Sequence, residues 1–165
     1  MKNKLMVMSG WALLMVTLSL FSVTVSKEVN SATDNAAANA TVITAISIGR
    51  ISNLEFGTAP QGATSKVVNP GTSENPENAS FQVSGHSNTT YDIILPTSVI
   101  MVTGDGVGAN KQIVANNFAS YPSGRGTLDG SGNQLLLAGA TRAALLLDQV
   151  VGSYTASFTV EVIYN

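Results

Sequence analysis

The carboxyl-terminal segment, GSYTASFTVEVIYN, constrains the fold of this chain more than any other part of the sequence. From Tyr154 to Tyr164 every second residue is apolar or aromatic, and the intervening residues are polar except Ile163. Side chains alternate between the two faces of a β-strand, so the pattern predicts one long strand with a buried face and a fixed register. The inward set would be Tyr154, Ala156, Phe158, Val160, Val162 and Tyr164.

The rest of the chain from Thr41 onward also predicts strands. Short β-branched or aromatic segments alternate with Gly, Pro and Asn, and none has a clear 3.6-residue apolar period. Ala140–Gln149 is ambiguous because Ala, Arg and Leu favour a helix, but its all-β surroundings favour an extended segment. The predicted strands are Thr41–Ile48, Leu54–Phe56, Lys66–Asn69, Ser80–Ser84, Tyr91–Leu95, Val99–Val102, Gln112–Phe118, Gln134–Ala138 and Tyr154–Tyr164. This spacing predicts an all-β sandwich of the immunoglobulin-like type.

The amino end has the pattern of an export signal. Lys2 and Lys4 precede an apolar run, Leu5–Val25, which small and hydroxyl residues dilute in its second half. We therefore predict a cleaved signal peptide over residues 1–26, a flexible tail over 27–40 and a single β-sandwich domain over 41–165. The cleavage site stays open, and an uncleaved anchor is the alternative.

Charge and cysteine content exclude several classes of partner. Without the two signal lysines the chain keeps six basic and ten acidic residues, and it has no cysteine. A net negative surface repels the phosphates of nucleic acids and of anionic membranes. We expect no nucleic-acid partner, no membrane contact after signal cleavage and no disulfide.

No segment predicts catalysis or a cofactor. His86, the single histidine, lies in a polar loop, and Glu74 and Glu77 flank Pro76 in a second polar loop. The glycine-rich stretch TGDGVGANK lacks the GK[ST] ending of a phosphate-binding loop. The oxygen-bearing run from Asp129 to Asn133 lacks the glycine and the glutamate of a calcium loop. We predict that the protein is not an enzyme and has no catalytic, cofactor or metal site, although the sequence leaves open whether a loop holds calcium.

The carboxyl terminus resembles that of chaperone–usher pilus subunits. These subunits carry a penultimate tyrosine and a glycine fourteenth from the end, and Tyr164 and Gly152 occupy those positions here. The resemblance implies that a periplasmic chaperone pairs with this strand and that a neighbouring subunit later donates an amino-terminal strand.

Five ordered blocks resemble a family of exported bacterial domains, domain-of-unknown-function family 4402. The blocks are NLEFG at 53–57, FQVSG at 81–85, YDIILP at 91–96, TLDGSGNQLLLAGAT at 127–141 and the closing GSYTASFTVEVIY. The resemblance implies a pilin-like or spore-coat-like β-sandwich and brings no catalytic residues.

These patterns together predict a pilin-like structural subunit of a bacterial surface fibre or coat, exported through the periplasm to the cell surface or beyond. Its assembly strand would comprise Gly152 and the inward set defined above. The candidate donor strand is Thr41–Ile48, in which one face carries Val42, Thr44, Ile46 and Ile48. Partners would be other copies or related subunits and a chaperone. The alternative is a self-contained secreted sandwich that serves as a binding or adhesion module.

Overall fold

The computed structural model describes residues 31–165, which contain nine β-strands, one short 3-10 turn at Ala109–Lys111 and no α-helix. The strands are β1 (Ser47–Ser52), β2 (Lys66–Val68), β3 (Ala79–Ser84), β4 (Thr90–Ile94), β5 (Ser98–Val102), β6 (Gln112–Tyr121), β7 (Arg125–Thr127), β8 (Asn133–Arg142) and β9 (Glu161–Tyr164). The protein is all-β, as the sequence predicted.

The strands form two antiparallel sheets that pack face to face. The larger sheet has the order β1-β3-β8-β6-β5, with β2 added beside β8, and the smaller sheet has the order β7-β4-β9. Apolar side chains from the inner faces of both sheets make the core. Its buried members are Ala79, Phe81, Val83, Tyr91, Ile93, Leu128, Leu136, Ala138 and Val160. The architecture is a β-sandwich.

Strand β8 is the centre of the larger sheet. It pairs with β3 and β2 on one side and with β6 on the other, so its backbone is bonded along both edges. Leu136 and Ala138 on its inner face have no exposed surface. A strand buried on both faces usually consists almost entirely of small and apolar residues. Residues 135–140, LLLAGA, have this composition.

Most predicted strands are present within a few residues of their predicted ends. Strands β6 and β8 extend beyond the prediction, β7 was not predicted, and Leu54–Phe56 has no strand pairing. The ambiguous segment Ala140–Gln149 is extended through Arg142 and irregular afterwards, so the helical alternative is wrong. The segment Thr41–Ile48 becomes a strand only at Ser47.

The closing strand is shorter than predicted, although its burial alternates as expected. Only Glu161–Tyr164 forms a ladder, with β4, while Thr155 makes an isolated bridge to Val102 of β5. These two partners belong to different sheets. The segment therefore crosses from the larger sheet to the smaller one. Residues 156–160, between the bridge and the ladder, form backbone hydrogen bonds with neither sheet.

The amino-terminal predictions fall largely outside the described residues. The predicted signal peptide over residues 1–26 lies outside them altogether. Residues 31–39 are exposed and have no secondary structure, and a separate compact unit spans Ala40–Asn165. Within residues 31–165, no helix has both the length and the apolar character needed to cross a bilayer.

Gly139 provides a test of the packing against β8. A Cβ atom at this position would overlap the backbone of Val68, Asn69 and Pro70, which crosses over the strand. We expect Gly139→Ala to lower the free energy of unfolding by about 1–3 kcal/mol, as overpacking in a rigid core does. Chemical denaturation monitored by circular dichroism measures the change.

Gly49 in β1 is the matched control, because a Cβ atom there would meet nothing within 4 Å. Gly49→Ala should leave the free energy of unfolding within about 0.5 kcal/mol of the parent. Equal effects of the two substitutions would contradict the packing described for β8.

Candidate assembly groove

The predicted assembly strand keeps its alternation of burial except at Ala156. Val160 is buried, and Tyr154, Phe158, Val162 and Tyr164 are half-buried, whereas the intervening polar residues are exposed. Ala156 is the exception among the inward set, because it is exposed. The two aromatic neighbours of Phe158 are Phe81, with ring centroids 6.3 Å apart and nearly perpendicular planes, and Phe118, at 5.1 Å.

One backbone edge of β9 is free among the described residues. The amide of Ile93 in β4 donates to Gly124 on the far side, so Asp92 and Ile94 are the β4 residues whose amides face β9. Their register partners, Ile163 and Glu161, therefore direct their own amides at β4. Val162 between them and Tyr164 after them therefore point their amides the opposite way, where residues 31–165 pair no strand with β9.

An extended chain running back from β9 would continue the same alternation toward its amino side. Thr155 uses both its N–H and its C=O on Val102, at 3.1 and 3.0 Å. From Ala156 to Val160, no backbone hydrogen bond joins the segment to any other described residue. The free edge, defined as the amides and carbonyls of Ala156, Phe158, Val160, Val162 and Tyr164, thus spans nine residues, about 30 Å at 3.4 Å per residue.

A groove of about 440 Å³ runs between this segment and the inner face of the larger sheet. Its floor is mainly apolar and comes from β3, β5 and β6, with one further wall formed by residues 50–56 around the end of β1. The floor residues are Ala79, Phe81, Val99, Met101, Ala115 and Phe118. The groove therefore combines unpaired backbone groups at its rim with apolar side chains at its base.

A second cavity of about 590 Å³ adjoins the groove. The two share Leu54, Glu55, Phe56, Met101 and Tyr154 in their walls. Gly152 lines the second cavity and lies so close to β5 that a Cβ atom would be 2.9 Å from Thr103 Oγ1. The glycine fourteenth from the end thus lies where the chain passes close to Thr103.

Tyr154 and Gln149 hold the start of the segment in place. The Tyr154 hydroxyl lies 2.9 Å from the carbonyl oxygen of Asn110 and 2.6 Å from that of Val150. Gln149, which is buried, donates from Nε2 to the same hydroxyl, at 3.0 Å, and to the carbonyls of Asn110 and Gln112. This network joins residues 149–154 to the loop before β6.

Tyr164 holds the other end. Its hydroxyl donates to the carbonyl of Thr44 at 2.9 Å and accepts from the amide of His86 at 2.6 Å. A Cβ atom on Gly85 would overlap this hydroxyl, so the glycine makes room for the contact. The penultimate tyrosine therefore ties the last strand to the segment before β1 and to the loop after β3.

The structure divides the candidate donor strand. Ile46 and Ile48 pack against the core of their own domain, and Ile48 is in register with Val83 of β3. Val42 is 95% exposed, and Thr44 is exposed as well. The donor assignment stays a prediction, with only its first half available without breaking β1.

The Asp129–Asn133 turn and the glycine-rich loop that contains Asp105 form local contacts. Asp129 Oδ1 accepts the amides of Ser131 and Asn133 at 2.8 and 2.9 Å, as in a tight polar turn. Asp105 accepts from Lys111 at 2.8 Å, and this hydrogen bond lowers the pKa of the Asp105 carboxyl. In the described part of the chain, no group of three or more acidic or histidine side chains is arranged to hold a metal ion.

The carboxylates of Glu74 and Glu77, which flank Pro76, are each bound by another side chain. Glu77 forms an ion pair with Lys66 at 2.5 Å, and Glu74 accepts from the Ser80 hydroxyl at 2.6 Å. Each carboxylate thus has its own partner.

Comparison with known families agrees with the five blocks of the sequence. Residues 22–164 match the model of the domain of unknown function DUF4402. The chain belongs to this family. The DUF4402 match spans all nine strands and both ends of the free edge. No curated protein and no solved structure matches the chain.

The tyrosine anchor yields a direct test. Tyr164→Phe removes a hydroxyl that makes two hydrogen bonds and leaves the ring in place. We expect the free energy of unfolding to fall by about 1–2 kcal/mol, and hydrogen exchange at the amide of His86 to accelerate. Denaturation curves and exchange measured by NMR give both quantities.

Tyr121→Phe is the control, since Tyr121 is 47% exposed and its hydroxyl bonds to no described residue. Its stability should equal that of the parent. If Tyr164→Phe is as neutral as Tyr121→Phe, the hydroxyl does not anchor the carboxyl terminus.

Proposed function

We propose that this protein is a structural subunit of a bacterial surface fibre or coat, assembled by β-strand pairing. The groove accepts an extended segment, first from a periplasmic chaperone and then from another copy or a related subunit. The observation that carries the proposal is the free edge from Ala156 to Tyr164, the first part of which, Ala156–Phe158, lines an apolar groove. The same proposal places the protein outside the cytoplasm and gives it no enzymatic role.

Backbone chemistry favours a strand as the occupant. A free strand edge offers alternating donors and acceptors that another extended chain satisfies. Proteins that avoid such pairing protect an edge with proline, inward-facing charge or a bulge. From Ala156 to Tyr164 there is no proline, and the one charged side chain, Glu161, is on the exposed face.

The groove floor would supply the specificity for the occupant. A strand added along the free edge turns every second side chain toward the floor, where Phe81, Ala115 and Phe118 lie. Those inward positions must be apolar, or the floor would remain in contact with polar groups. An alternating segment about nine residues long, with apolar residues at every second position, meets both requirements.

The exposed segment before β1 is the proposed donor. Residues 31–45 have no secondary structure and are exposed, and their alternate residues Val42 and Thr44 lead into the face that continues to Ile46 and Ile48. Fifteen extended residues span about 50 Å, enough to reach a second molecule. Donation of Ile46 and Ile48 themselves would require β1 to leave its own sheet.

Two proline substitutions test the pairing. The amides of Ala156 and Ser157 both make no hydrogen bond within the described chain. Strand alternation counted from Thr155 assigns the amide of Ala156, and not that of Ser157, to the free edge. We expect Ala156→Pro to weaken polymerisation, or binding of a peptide spanning Ser31–Ile48, by about tenfold, because one intermolecular hydrogen bond is lost. Analytical ultracentrifugation and peptide titration report the change.

Ser157→Pro is the matched control and should assemble as the parent does, since its amide faces away from the edge. Thermal unfolding of both variants checks that the two substitutions perturb the fold equally. A parent protein that stays monomeric at all concentrations and binds no peptide contradicts the proposal. That outcome supports the alternative, a self-contained secreted module for binding or adhesion.

A further inference from the structure

Arg142 is a buried charge on the inner face of the larger sheet. It is the last residue of β8 and follows Leu136, Ala138 and Ala140 on the same face, because alternate residues of a strand share a side. Only 6% of its surface is exposed. A guanidinium at the end of a row of core residues calls for a compensating partner.

The described chain provides that partner only in part. Nη1 donates to the carbonyl of Ala143 and Nη2 to that of Thr64, both at 2.9 Å, while the buried Nε has no hydrogen-bond partner. Among residues 31–165, no carboxylate forms an ion pair with Arg142. Burial lowers the pKa of the guanidinium because it disfavours the charged form.

The nearest strand makes the charge imbalance larger. Lys66 of β2 is directly opposite Arg142 in the register, so two cations occupy one cross-strand pair. Lys66 is neutralised by Glu77, whereas Arg142 is not. A buried charge without an opposite charge is among the most costly arrangements in a protein interior.

Space for an anion adjoins this side chain. Arg142 lines the cavity of about 590 Å³, together with apolar residues such as Phe56, Met101 and Leu145. Glu55 also lines the cavity, but it makes no ion pair with the guanidinium. The cavity thus brings together a cation that has no ion-pair partner and an apolar wall, whereas the orphaned Nε itself has almost no accessible surface.

We propose that this cavity is a binding site for a carboxylate held by Arg142. A planar carboxylate matches the fork of a guanidinium, and Nη1 and Nη2 each keep a second N–H beyond the one that bonds a carbonyl. The apolar wall suits a carboxylate carried on a carbon chain. A free acid needs no strand donation to occupy this site, whereas occupation by an acidic side chain of a bound strand rests on the assembly function proposed above.

The carboxylate has two possible sources, which share this chemistry. One is a free organic acid. The other is an acidic side chain on a polypeptide strand lying in the adjoining groove, which shares Leu54, Glu55 and Phe56 with the cavity. In the peptide Ser31–Ile48 of this chain the single charged residue is Asp34, so that peptide tests the second source.

The decisive measurement is an NMR titration of the arginine Nε–Hε resonances in the full chain as purified. Acetate or succinate is added at constant ionic strength, with chloride as the reference ion. We expect one buried Nε–Hε resonance to shift and saturate with carboxylate and to stay unchanged with chloride. At ten times the dissociation constant the unfolding midpoint should rise by about 3–6 °C.

Arg142→Met assigns the resonance and removes the site. We expect it to lose both the shift and the carboxylate-dependent rise in midpoint, while its midpoint without ligand equals or exceeds that of the parent. Arg125→Met, at an exposed arginine of the smaller sheet that lines neither cavity, should leave both responses intact.

Titration with the Ser31–Ile48 peptide shows which source supplies the carboxylate. Tighter binding of the Ser31–Ile48 peptide than of its Asp34→Asn counterpart, with the difference abolished in Arg142→Met, assigns the site to a strand-borne acid. Response to acetate or succinate with no such difference assigns it to a free acid. If neither probe moves the Nε–Hε resonance of the parent protein, the proposal is wrong, whether or not Arg142→Met folds.

Discussion

The need of every backbone amide for a partner shapes this sandwich more than any single side chain does. Thr155 satisfies its backbone on β5 of the larger sheet, and Glu161 and Ile163 satisfy theirs on β4 of the smaller sheet. A chain that serves two sheets must cross the gap between them. The residues in the crossing have no backbone hydrogen-bond partner among the described residues, and this creates the free edge beside the groove.

The two ends of the crossing are held by side chains as well as by backbone bonds. Tyr154 and Gln149 hold its start, and the hydroxyl of Tyr164 holds its end between Thr44 and His86. A segment fixed at both ends is already extended before a partner arrives. Less conformational entropy is then lost on pairing, so the groove is prepared for an incoming strand.

The sequence predicted burial better than it predicted pairing, and the closing segment shows why. Alternation along Tyr154–Tyr164 depends on the strand alone, so the inward set was largely correct. Pairing depends on where other strands end. Strand β4 ends at Ile94 and the chain continues to β5 in the other sheet, which the residues of the closing segment cannot predict. The eleven-residue strand was therefore predicted where only its last four residues form a ladder.

Strand β7 was not predicted, and the start of β1 was predicted too early, for a similar reason. β7 has only three residues, Arg125–Thr127, and its pairing with β4 gives it strand geometry that its composition does not suggest. The first half of Thr41–Ile48 has the alternation of a strand but no neighbour, so β1 begins at Ser47. In both cases tertiary context overrides local preference.

Arg142 is the functional candidate that sequence reasoning missed, although a signal for it exists. It occurs in the ambiguous segment Ala140–Gln149, where arginine is most simply interpreted as a surface residue. Once β8 is known to continue to Arg142, its even position places it on the face of Leu136 and Ala138, the most buried of the sheet. The strand period directs this arginine inward, where its cross-strand neighbour is a lysine and no acid is opposite it. Burying such a charge costs free energy of folding. Such a cost is offset when an anion occupies the adjoining cavity, which is why this residue, rather than the exposed acids and the histidine, carries the binding proposal.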